Sequence, residues 1–485
     1  MINQHAERRT KIVATIGPAS DSRDQIAQLI EAGVDVFRLS MAHDDIESVL
    51  QRVALIRAVG DSIDADPAIL IDLPGPKVRA GSFGDEGVHL AGGSDVELRP
   101  GTDASTATVI HVSHEALVDD VQEGDILHLG DGKATLRVKY VGEHLAVAQV
   151  LHGGIMRGRP GVHIPSDRLS ITTPTDFDRE ALAAVVAADV DMVAISFVRS
   201  AADIESLDIP PPPTGPVVVA KIETRAAVDD LDAILEASDA LMVARGDLGL
   251  ECSLAQLPAL QKKIIAATVR IGRPVITATQ MLETMVENPQ PTRAEVSDVA
   301  NAVFDGTSAV MLSGETAIGR APVHVVRTMD EILRNAEGVF DSDSWSASVE
   351  QIGQTEATDD HGRIANAVSA AANRAIRALA PPAVVCITGS GATARAITRY
   401  RPQAAVLAVT GNERTYRQLS LVWGATPILV ASDGEESGRI QRVLAELEQR
   451  GYLDVGQIVP VVAGSTNEAL ASNILRVESV EPRSS

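Results

Sequence analysis

The stretch VVVAKIETRAAVDDLDAILEASDALMVARGDLGLE (217–251) combines two short apolar runs with charged residues that follow each run directly. The first run, VVVA, is β-branched and has no polar face, which is typical of a parallel strand covered on both sides. It ends at Lys221 and Glu223, and the second run, ALMV, ends at Arg245 and Asp247. The stretch therefore predicts a strand, a helix, a second strand and a glycine-bearing turn that opens another helix.

The four charged side chains at these strand ends are expected to meet, because the carboxyl ends of parallel strands point toward the ligand crevice. The two carboxylates are hard oxygen donors that suit Mg²⁺ or Mn²⁺. Lys221 and Arg245 would face a phosphate or carboxylate, and the amides of the turn after Arg245 would form an anion socket. The alternative is that these residues are helix caps and surface ion pairs.

The length and net charge of the chain limit its number of domains and its kinds of partner. The chain has 485 residues, and a chain of this size is expected to form about two to four domains. Its net charge of -24 repels nucleic acid and anionic membranes, so neither is an expected partner. The start, MINQHAERRTK, lacks the apolar core of a signal peptide, and no apolar run reaches membrane-spanning length. These features, with two cysteines that lack metal-type spacing, predict a cytoplasmic protein.

Short β-branched runs recur along the chain, and most are separated by segments long enough for a crossover helix. The runs lie at 11–17, 34–40, 68–74, 192–198, 217–223, 240–246, 274–280 and 308–314. This repeat predicts an α/β fold built on a (β/α)₈ TIM barrel.

Two regions have a different pattern. From about Lys77 to Leu169 apolar and polar residues alternate, and glycines interrupt the pattern. This predicts a small β-barrel domain inserted at the rim of the barrel. It would close over the site as a lid, or else be a rigid decoration.

After a polar stretch at 341–363, expected to be a linker or exposed segment, the runs AVVCITG, AVLAVTG, TPILVA and IVPVVAG alternate with helices. They predict a second, open parallel sheet.

The expected domains are therefore 1–76 and 170–345 for the barrel, 77–169 for the lid, and 346–485 for a C-terminal α/β domain of regulatory type. Within the last domain, Thr388–Thr393 lies where a strand passes to a helix. This turn predicts either a phosphate cradle or an ordinary helix cap.

Several long motifs in a fixed order carry a family resemblance. They are TKIVATIGPAS (10–20), VVVAKIET (217–224), MVARGDLGLE (242–251), ITATQMLETM (276–285), PTRAEVSDVANAVFDGTSAVMLSGETA (291–317) and RYRP (399–402). Through them the chain resembles pyruvate kinase from about Thr10 to Val480. The resemblance implies a homotetramer of three-domain subunits. It also implies the glycolytic transfer of a phosphoryl group from phosphoenolpyruvate to ADP, which gives pyruvate and ATP.

The resemblance assigns a role to each matching residue at the substrate. Glu223 and Asp247 look like the ligands of a Mg²⁺ or Mn²⁺ ion. Lys221 would stabilise the transferring phosphoryl group, and Arg38 would contact it from the end of the second strand. Such a transfer needs positive charge around the phosphoryl oxygens, which both residues carry. The backbone amides of Gly246 and Asp247 would hold the substrate carboxylate.

Three further residues are assigned in the same way. Thr279 matches the threonine near the enolate face, although a barrel-filling hydroxyl is the alternative interpretation. Arg79 matches the arginine on the nucleotide side, and His43 matches a histidine near it.

The chain departs from the family at the site for a monovalent cation. The family has Arg-x-Asn-Phe-Ser-His and Asp-Thr-Lys-Gly-Pro-Glu, where this chain has RLSMAH (38–43) and DLPGPK (72–77). Ser40 stands for the asparagine and Lys77 for the glutamate, while Asp72 is kept. The tethered ammonium of Lys77 is expected to replace bound K⁺, since two charges about 4 Å apart interact by about 4 kcal/mol at a dielectric of about 20. The resemblance agrees, because members with lysine here are of the K⁺-independent kind.

Two other functions remain open from the sequence. The first is a divergent, metal-dependent pyruvate or enolate lyase, which would use a similar carboxylate pair. The second is a non-catalytic phosphometabolite sensor. The loop GSTNEAL (464–470) lacks the glycines of the sugar-phosphate effector site that the family carries, so activation by fructose bisphosphate is not expected.

Overall fold

The computed structural model of the chain describes residues 8–42, 44–130, 132–353, 360–430, 438–464 and 472–482. Strands and helices are numbered along the chain. Across these ranges, no helix combines the length and the apolar character needed to cross a membrane.

Eight parallel strands close into a barrel, as the sequence predicts. They are β1 (Lys11–Thr15), β2 (Val36–Ser40), β3 (Ala68–Leu73), β12 (Met192–Ile195), β13 (Val217–Ile222), β14 (Ala240–Ala244), β15 (Val275–Ala278) and β16 (Ala309–Leu312). Each strand pairs with the next in this series, and β16 pairs with β1. The strands are almost wholly buried because helices cover their outer faces and side chains fill the interior.

Helices follow the barrel strands, and several of them begin at a side chain that caps the first turn. They are α1 (Arg23–Glu31), α2 (Ile46–Ser62), α4 (Asp176–Ala187), α5 (Ala201–Glu205), α6 (Arg225–Asp229), α7 (Leu231–Ala237), α8 (Arg245–Glu251), α9 (Leu257–Arg270), α10 (Arg293–Phe304), α11 (Gly314–Ala317) and α12 (Pro322–Glu337). Ser22, Asp45, Thr175 and Thr292 accept hydrogen bonds from the first turns of α1, α2, α4 and α10. Such caps satisfy amides that have no partner inside the helix.

The chain between β3 and β12 forms a separate β unit with its own apolar core. Its elements are β4 (Val88–Leu90), β5 (Asp95–Pro100), β6 (Val109–Val112), α3 (Leu117–Asp120), β7 (Ile126–Leu129), β8 (Ala134–Val141), β9 (Ala146–His152), β10 (Gly154–Met156) and β11 (Val162–His163). Six strands form one sheet in the order β11–β7–β8–β9–β5–β6, and β10 pairs with β4. The alternating sequence of this region thus forms strands with one buried face.

The C-terminal part forms an open sheet in the order β19–β18–β17–β20–β21. The strands are β17 (Ala383–Ile387), β18 (Ala405–Thr410), β19 (Ala425–Leu429), β20 (Ile458–Gly464) and β21 (Ser472–Ser479), with helices α14 (Asp360–Leu379), α15 (Ala392–Thr398), α16 (Glu413–Gln418) and α17 (Arg439–Gln449). The four parallel strands are those predicted. A fifth strand, β21, was not predicted; it runs antiparallel to β20 and is largely exposed, so its sequence has no buried apolar run.

The sequence predicts a linker or an exposed segment at 341–363. In the structure many side chains of its first half are exposed, but Ser342–Gly353 form a helix, α13, rather than a linker. Trp345 packs on Phe340, with ring centroids 5.7 Å apart, and its indole N–H donates to the carbonyl of Arg399 at 2.9 Å. The polar composition concealed this helix because few of its residues face inward.

The C-terminal part closes the barrel at the amino ends of its strands. Leu421 lies in the same buried cluster as the side chains that fill the barrel interior. Asp191, which precedes β12 and is fully buried, accepts hydrogen bonds from Arg57 of α2 and Arg417 of α16, each at 2.7 Å. One carboxylate therefore joins a barrel helix to a C-terminal helix.

Candidate active site

A cleft of about 490 Å³ lies between the carboxyl ends of the barrel strands and the inserted β unit. Its barrel side is lined by Arg38, Ser40, Asp72, Ser196, Lys221, Glu223 and Asp247, and its other side by Lys77, Arg79, His128, Lys133, Arg157 and His163. The insertion therefore forms one wall of the cleft. Most of the residues proposed from the sequence meet here.

Lys221 lies at the centre of the polar cluster in this cleft. Its ammonium donates to the hydroxyl of Ser196 at 2.8 Å and to Asp72 at 3.3 Å, and it lies 2.9 Å from Glu223 Oε1. Burial opposes the charge on Lys221, but the two carboxylates outweigh burial and hold its pKa above the usual value. The side chain is thus a fixed cation at neutral pH.

Arg38 is held beside Lys221 by the same aspartate. Its guanidinium contacts Asp72 Oδ2 through Nε at 2.8 Å and through a terminal nitrogen at 2.7 Å, and it donates to Thr15 Oγ1 at 2.9 Å. Burial raises the pKa of Asp72, but Lys221 and Arg38 outweigh it and leave the pKa below its usual value. Two cations thus share one buried anion, and Glu223 is a second anion beside Lys221.

Lys77 is a third cation in the cleft. Its ammonium is buried, and it has no hydrogen-bond partner among the residues that the structure describes. Burial and the charge of Arg79 lower the pKa of Lys77 to about 8, against the opposing effect of Asp72. A buried ammonium without a partner is unfavourable, and an anion in the cleft would relieve it. Ser40, which stands for the family's asparagine, also lines the cleft, and its hydroxyl accepts from the amide of Ala42 at 3.3 Å.

Only one of the two residues expected on the nucleotide side can be located. The guanidinium of Arg79 donates to the carbonyl of Arg159 at 3.2 Å, and both residues line the cleft. Arg79 therefore lies on the wall that the insertion forms. His43 lies outside the described residues.

Glu223 and Asp247, the expected metal ligands, both line the cleft. Glu223 is 1% exposed and accepts a hydrogen bond from the amide of Phe197 at 2.7 Å. Burial and the nearby Asp247 raise the pKa of Glu223, against the effect of Lys221. A divalent cation would relieve both unfavourable effects, so the donor chemistry fits Mg²⁺ or Mn²⁺. In the described ranges no group of three or more His, Cys, Asp or Glu side chains is arranged for a metal, so the fit rests on this pair.

Thr279 and Gly246 are brought together directly. The hydroxyl of Thr279 accepts from the amide of Gly246 at 2.8 Å and donates to the carbonyl of Ala278 at 2.7 Å. In this structure the Gly246 half of the expected anion socket is therefore bonded to protein. Thr279 and Gln280 both have positive φ, 65° and 52°, a conformation that costs free energy in non-glycine residues.

Arg245 corrects one expectation from the sequence. It is 6% exposed and does not face the cleft. Instead it donates to Asp298 at 2.6 Å and to the carbonyl of Thr279 at 2.6 Å. At the first position of α8 its side chain points under the rim, where it fixes the strained turn after β15. Arg245 therefore supports Thr279 from below, and Lys221 has no arginine partner from this turn.

Other contacts at the site were not anticipated. Ser196 is 3% exposed, and its hydroxyl joins Lys221 to Asp72. It follows the apolar run MVAI, so the strand-end argument used for Lys221 also applies to it. Phe197 has a φ of 54°, which turns its amide toward Glu223. The pairing of His163 with Glu251 at 3.1 Å could not be found, because its members lie far apart in sequence.

The two C-terminal features singled out in the sequence are described only in part. In the turn Thr388–Thr393, Gly391 has a φ of 80°, and the carbonyl of Gly389 accepts from Thr415 at 2.7 Å. Its role as a phosphate cradle stays a prediction. Of the loop 464–470, only Gly464 belongs to the described residues.

Comparison with known proteins gives consistent matches along the chain. The family model for the pyruvate kinase barrel domain matches residues 7–339, and the model for the pyruvate kinase alpha/beta domain matches residues 366–478. The chain is 41% identical to "Pyruvate kinase 2" of Synechocystis, over 98% of this chain and 80% of that protein. It is 38% identical to the pyruvate kinases of Bacillus licheniformis and Geobacillus stearothermophilus, over 97% of this chain and 80% of each of them.

Proposed function

The chain belongs to the pyruvate kinase family and is a phosphotransferase, and from that premise we propose that it transfers the phosphoryl group of phosphoenolpyruvate to ADP. One observation supports this most. Lys221, Arg38 and Lys77 lie near Asp72 in a cleft that seven lysine and arginine residues line against four aspartate and glutamate residues, so the cleft has an excess of positive charge. Phosphoryl transfer needs little covalent help but needs cations around the transferring oxygens.

The proposed reaction has two steps. An oxygen of the ADP β-phosphate forms a bond to phosphorus while the bond from phosphorus to the enol oxygen breaks, which gives ATP and the enolate of pyruvate. A proton then adds to the methylene carbon and gives pyruvate. Lys221 and Arg38 would hold the phosphoryl oxygens in line and balance their charge. Thr279, whose hydroxyl lies at the start of α8, would orient the enolate face or a proton-donating water.

Glu223 and Asp247 would hold a divalent cation, with substrate and water completing its ligands. When bound, such an ion neutralises developing negative charge on the substrate oxygens. The pair supports this role because both carboxylates line the cleft and their proximity raises the pKa of Glu223. We propose that the amides of Gly246 and Asp247 hold the substrate carboxylate, which would replace Thr279 as the acceptor at Gly246. We propose Arg79 and His43 for the nucleotide.

Lys77 would take the place of K⁺, together with the altered neighbour Ser40 and the retained Asp72. The support is its ammonium in the cleft, which has no hydrogen-bond partner among the described residues and lies close enough to Asp72 for that carboxylate to oppose the lowering of its pKa. The enzyme would then work without K⁺.

The test is initial pyruvate formation from phosphoenolpyruvate and ADP with Mg²⁺, run in K⁺ buffer and in tetramethylammonium buffer. Similar rates in both are expected. A rate seen only with K⁺ would keep the reaction and reject the role of Lys77. No pyruvate in either buffer would reject the reaction itself. The same assay without ADP tests the lyase alternative, because a lyase would release pyruvate in the absence of ADP and a kinase would not.

The family match does not favour the two alternatives, a metal-dependent pyruvate or enolate lyase and a non-catalytic sensor. A homotetramer and a cytoplasmic location complete the proposal. Sedimentation of the purified chain tests the assembly.

A further inference from the structure

A second cavity lies at the opposite end of the barrel from the cleft. It has a volume of about 330 Å³ and is lined by both sides of the junction between the barrel and the C-terminal sheet. Arg9, Arg334 and Glu337 come from the barrel side, and Arg401 and Trp423 from the C-terminal side. Ser342, at the start of α13, also lines it. No residue proposed for catalysis takes part in it.

Arg401 is the unusual residue of this cavity. It is 2% exposed, and its guanidinium packs over the ring of Trp423, 4.2 Å from the centroid. One terminal nitrogen donates to the carbonyls of Gly306 and Thr307. Its Nε is buried and has no partner among the described residues. A buried guanidinium bonded only to carbonyl groups keeps its full charge without a counterion.

The charges around Arg401 do not neutralise it. Burial lowers its pKa to about 9, and Arg9 lowers it further, whereas Glu337 opposes them. Glu337, however, is bound to the backbone, since its carboxylate accepts from the amides of Arg9, at 2.9 Å, and Thr10. Asp330 lies between Arg334 and Arg8, at 2.7 and 2.8 Å. The guanidinium of Arg9 donates to the carbonyls of Pro402 and Gln403, so among the described lining residues Arg9 and Arg401 have one carboxylate between them, that of Glu337.

We propose that this cavity binds a small organic anion, a metabolite with a phosphate or carboxylate group and a compact apolar or ring-bearing body. Arginine is suited to such groups because its planar donors pair with two oxygens at once. The walls formed by Val303, Phe340 and Trp423 would take the body of the ligand. Because both sides of the junction line the cavity, the ligand would hold the C-terminal sheet on the barrel.

Tryptophan fluorescence can report on ligand binding in this cavity. The chain has two tryptophans, and Arg401 lies over both rings, at 4.2 Å from Trp423 and 5.7 Å from Trp345. An anion next to Arg401 would change the environment of both indoles. Tryptophan fluorescence is therefore titrated with inorganic phosphate, with glycerol 2-phosphate and with malonate, which separates phosphate from carboxylate recognition.

The decisive variants are Ser342→Asp and Ser342→Asn. Ser342 lines the cavity at the start of α13, and aspartate is favourable in the first turn of a helix. We expect a saturable fluorescence change with at least one anion in the wild type and in S342N. In S342D the affinity should fall about tenfold, since a carboxylate at the rim repels the ligand. Activity at saturating substrate should be the same in all three proteins.

Arg401→Met provides a second measurement if it folds, as judged by circular dichroism, and should abolish the fluorescence change. If it does not fold, the comparison of S342D with S342N still tests whether the cavity binds an anion. Equal affinity of S342D and S342N for every anion would overturn the proposal, and so would the lack of any saturable change in the wild type. Neither result would bear on pyruvate formation, which depends on the other end of the barrel.

Discussion

His163 Nε2 lies 3.1 Å from Glu251 Oε1, and this contact ties strand β11 of the insertion to helix α8 of the barrel. The same carboxylate accepts two hydrogen bonds from Ser166, from its amide and its hydroxyl, both at 2.8 Å. Burial raises the pKa of Glu251, but these partners outweigh burial and hold the pKa below its usual value. Because Glu251 lies one helical turn beyond Asp247, the wall of the cleft is attached to the helix that carries an expected metal ligand.

The first prediction concerns this attachment. We expect Glu251→Gln to raise the KM for ADP about tenfold with a smaller effect on kcat, because hydrogen bonds to a charged group contribute about 1.5–3 kcal/mol each. The measurement is initial velocity with ADP varied at saturating phosphoenolpyruvate. Glu143→Gln, on an exposed turn of the same β unit, is the matched control and should behave as the wild type. An unchanged KM in E251Q would mean that the insertion is held by other contacts.

The second prediction concerns the cation without a partner. We expect Lys77→Ala to lose about a hundredfold in kcat/KM for phosphoenolpyruvate in K⁺-free buffer, because about 2.7 kcal/mol of charge stabilisation corresponds to that factor. Part of the loss should return when K⁺ is added. Lys139→Ala is the control, since Lys139 pairs with Asp95 on the outside of the insertion. Equal rates for K77A and the wild type without K⁺ would contradict the role of Lys77.

The third prediction concerns pH. The pKa of Lys77 is lowered to about 8, so its charged form is present below that value and is lost as the pH rises through it. In K⁺-free buffer, kcat/KM for phosphoenolpyruvate should therefore decline above about pH 8. Lys77→Arg should keep its charge and move this decline to higher pH. A pH profile of K77R that coincides with that of the wild type would assign the decline to another group.

The lowered pKa of Lys77 also affects the free energy of unfolding, which should rise over the pH range in which activity falls. Unfolded, Lys77 keeps its proton to about pH 10.5, whereas the folded protein releases it near 8. The folded state is therefore penalised below pH 8, and the penalty fades as the pH rises from about 8 to 10.5. Lys77→Met should accordingly be more stable than the wild type at pH 7, with a smaller difference at pH 10, as measured by urea unfolding.

The fourth prediction concerns the support of Lys221. Ser196→Ala should lower kcat more than it raises the KM for phosphoenolpyruvate, because the ammonium of Lys221 loses its 2.8 Å contact but keeps its carboxylates. Unfolding should cost roughly 1–3 kcal/mol less than in the wild type. Ser313→Ala is the matched control, since Ser313 also follows a barrel strand and its buried hydroxyl has no partner among the described residues. An equal loss in both variants would assign the effect to general packing.

The barrel could be predicted from the sequence because its strands are buried on both faces and so appear as uninterrupted apolar runs. The meeting of Lys221, Glu223 and Asp247 followed from one rule, that the carboxyl ends of parallel strands share an edge. The same rule failed for Arg245, because it locates a residue at the rim without saying whether the side chain points into the cleft or beneath it. There the carbonyls of the turn after β15 attract the guanidinium.

Other features depend on contacts that local sequence does not contain. The pairing of Glu251 with His163 forms only when the insertion folds back on the barrel. Helix α13 is stabilised by Trp345, whose partners Phe340 and Arg399 belong to different parts of the chain. Within the described ranges Lys77 has no hydrogen-bond partner, and this too is a property of the folded state, because Arg38 and Lys221 already occupy Asp72.

The position of Leu421 in the barrel interior bears on how the protein is made. A ribosome delivers all eight barrel strands before it reaches this residue, and the arginine that completes the pairing of Asp191 comes equally late. A barrel that folds before Leu421 is synthesised would have an apolar opening and a half-paired buried acid. Exposed apolar surface of this kind promotes aggregation. The nascent chain would accordingly be most vulnerable at the stage when all eight barrel strands are present and the C-terminal part is not.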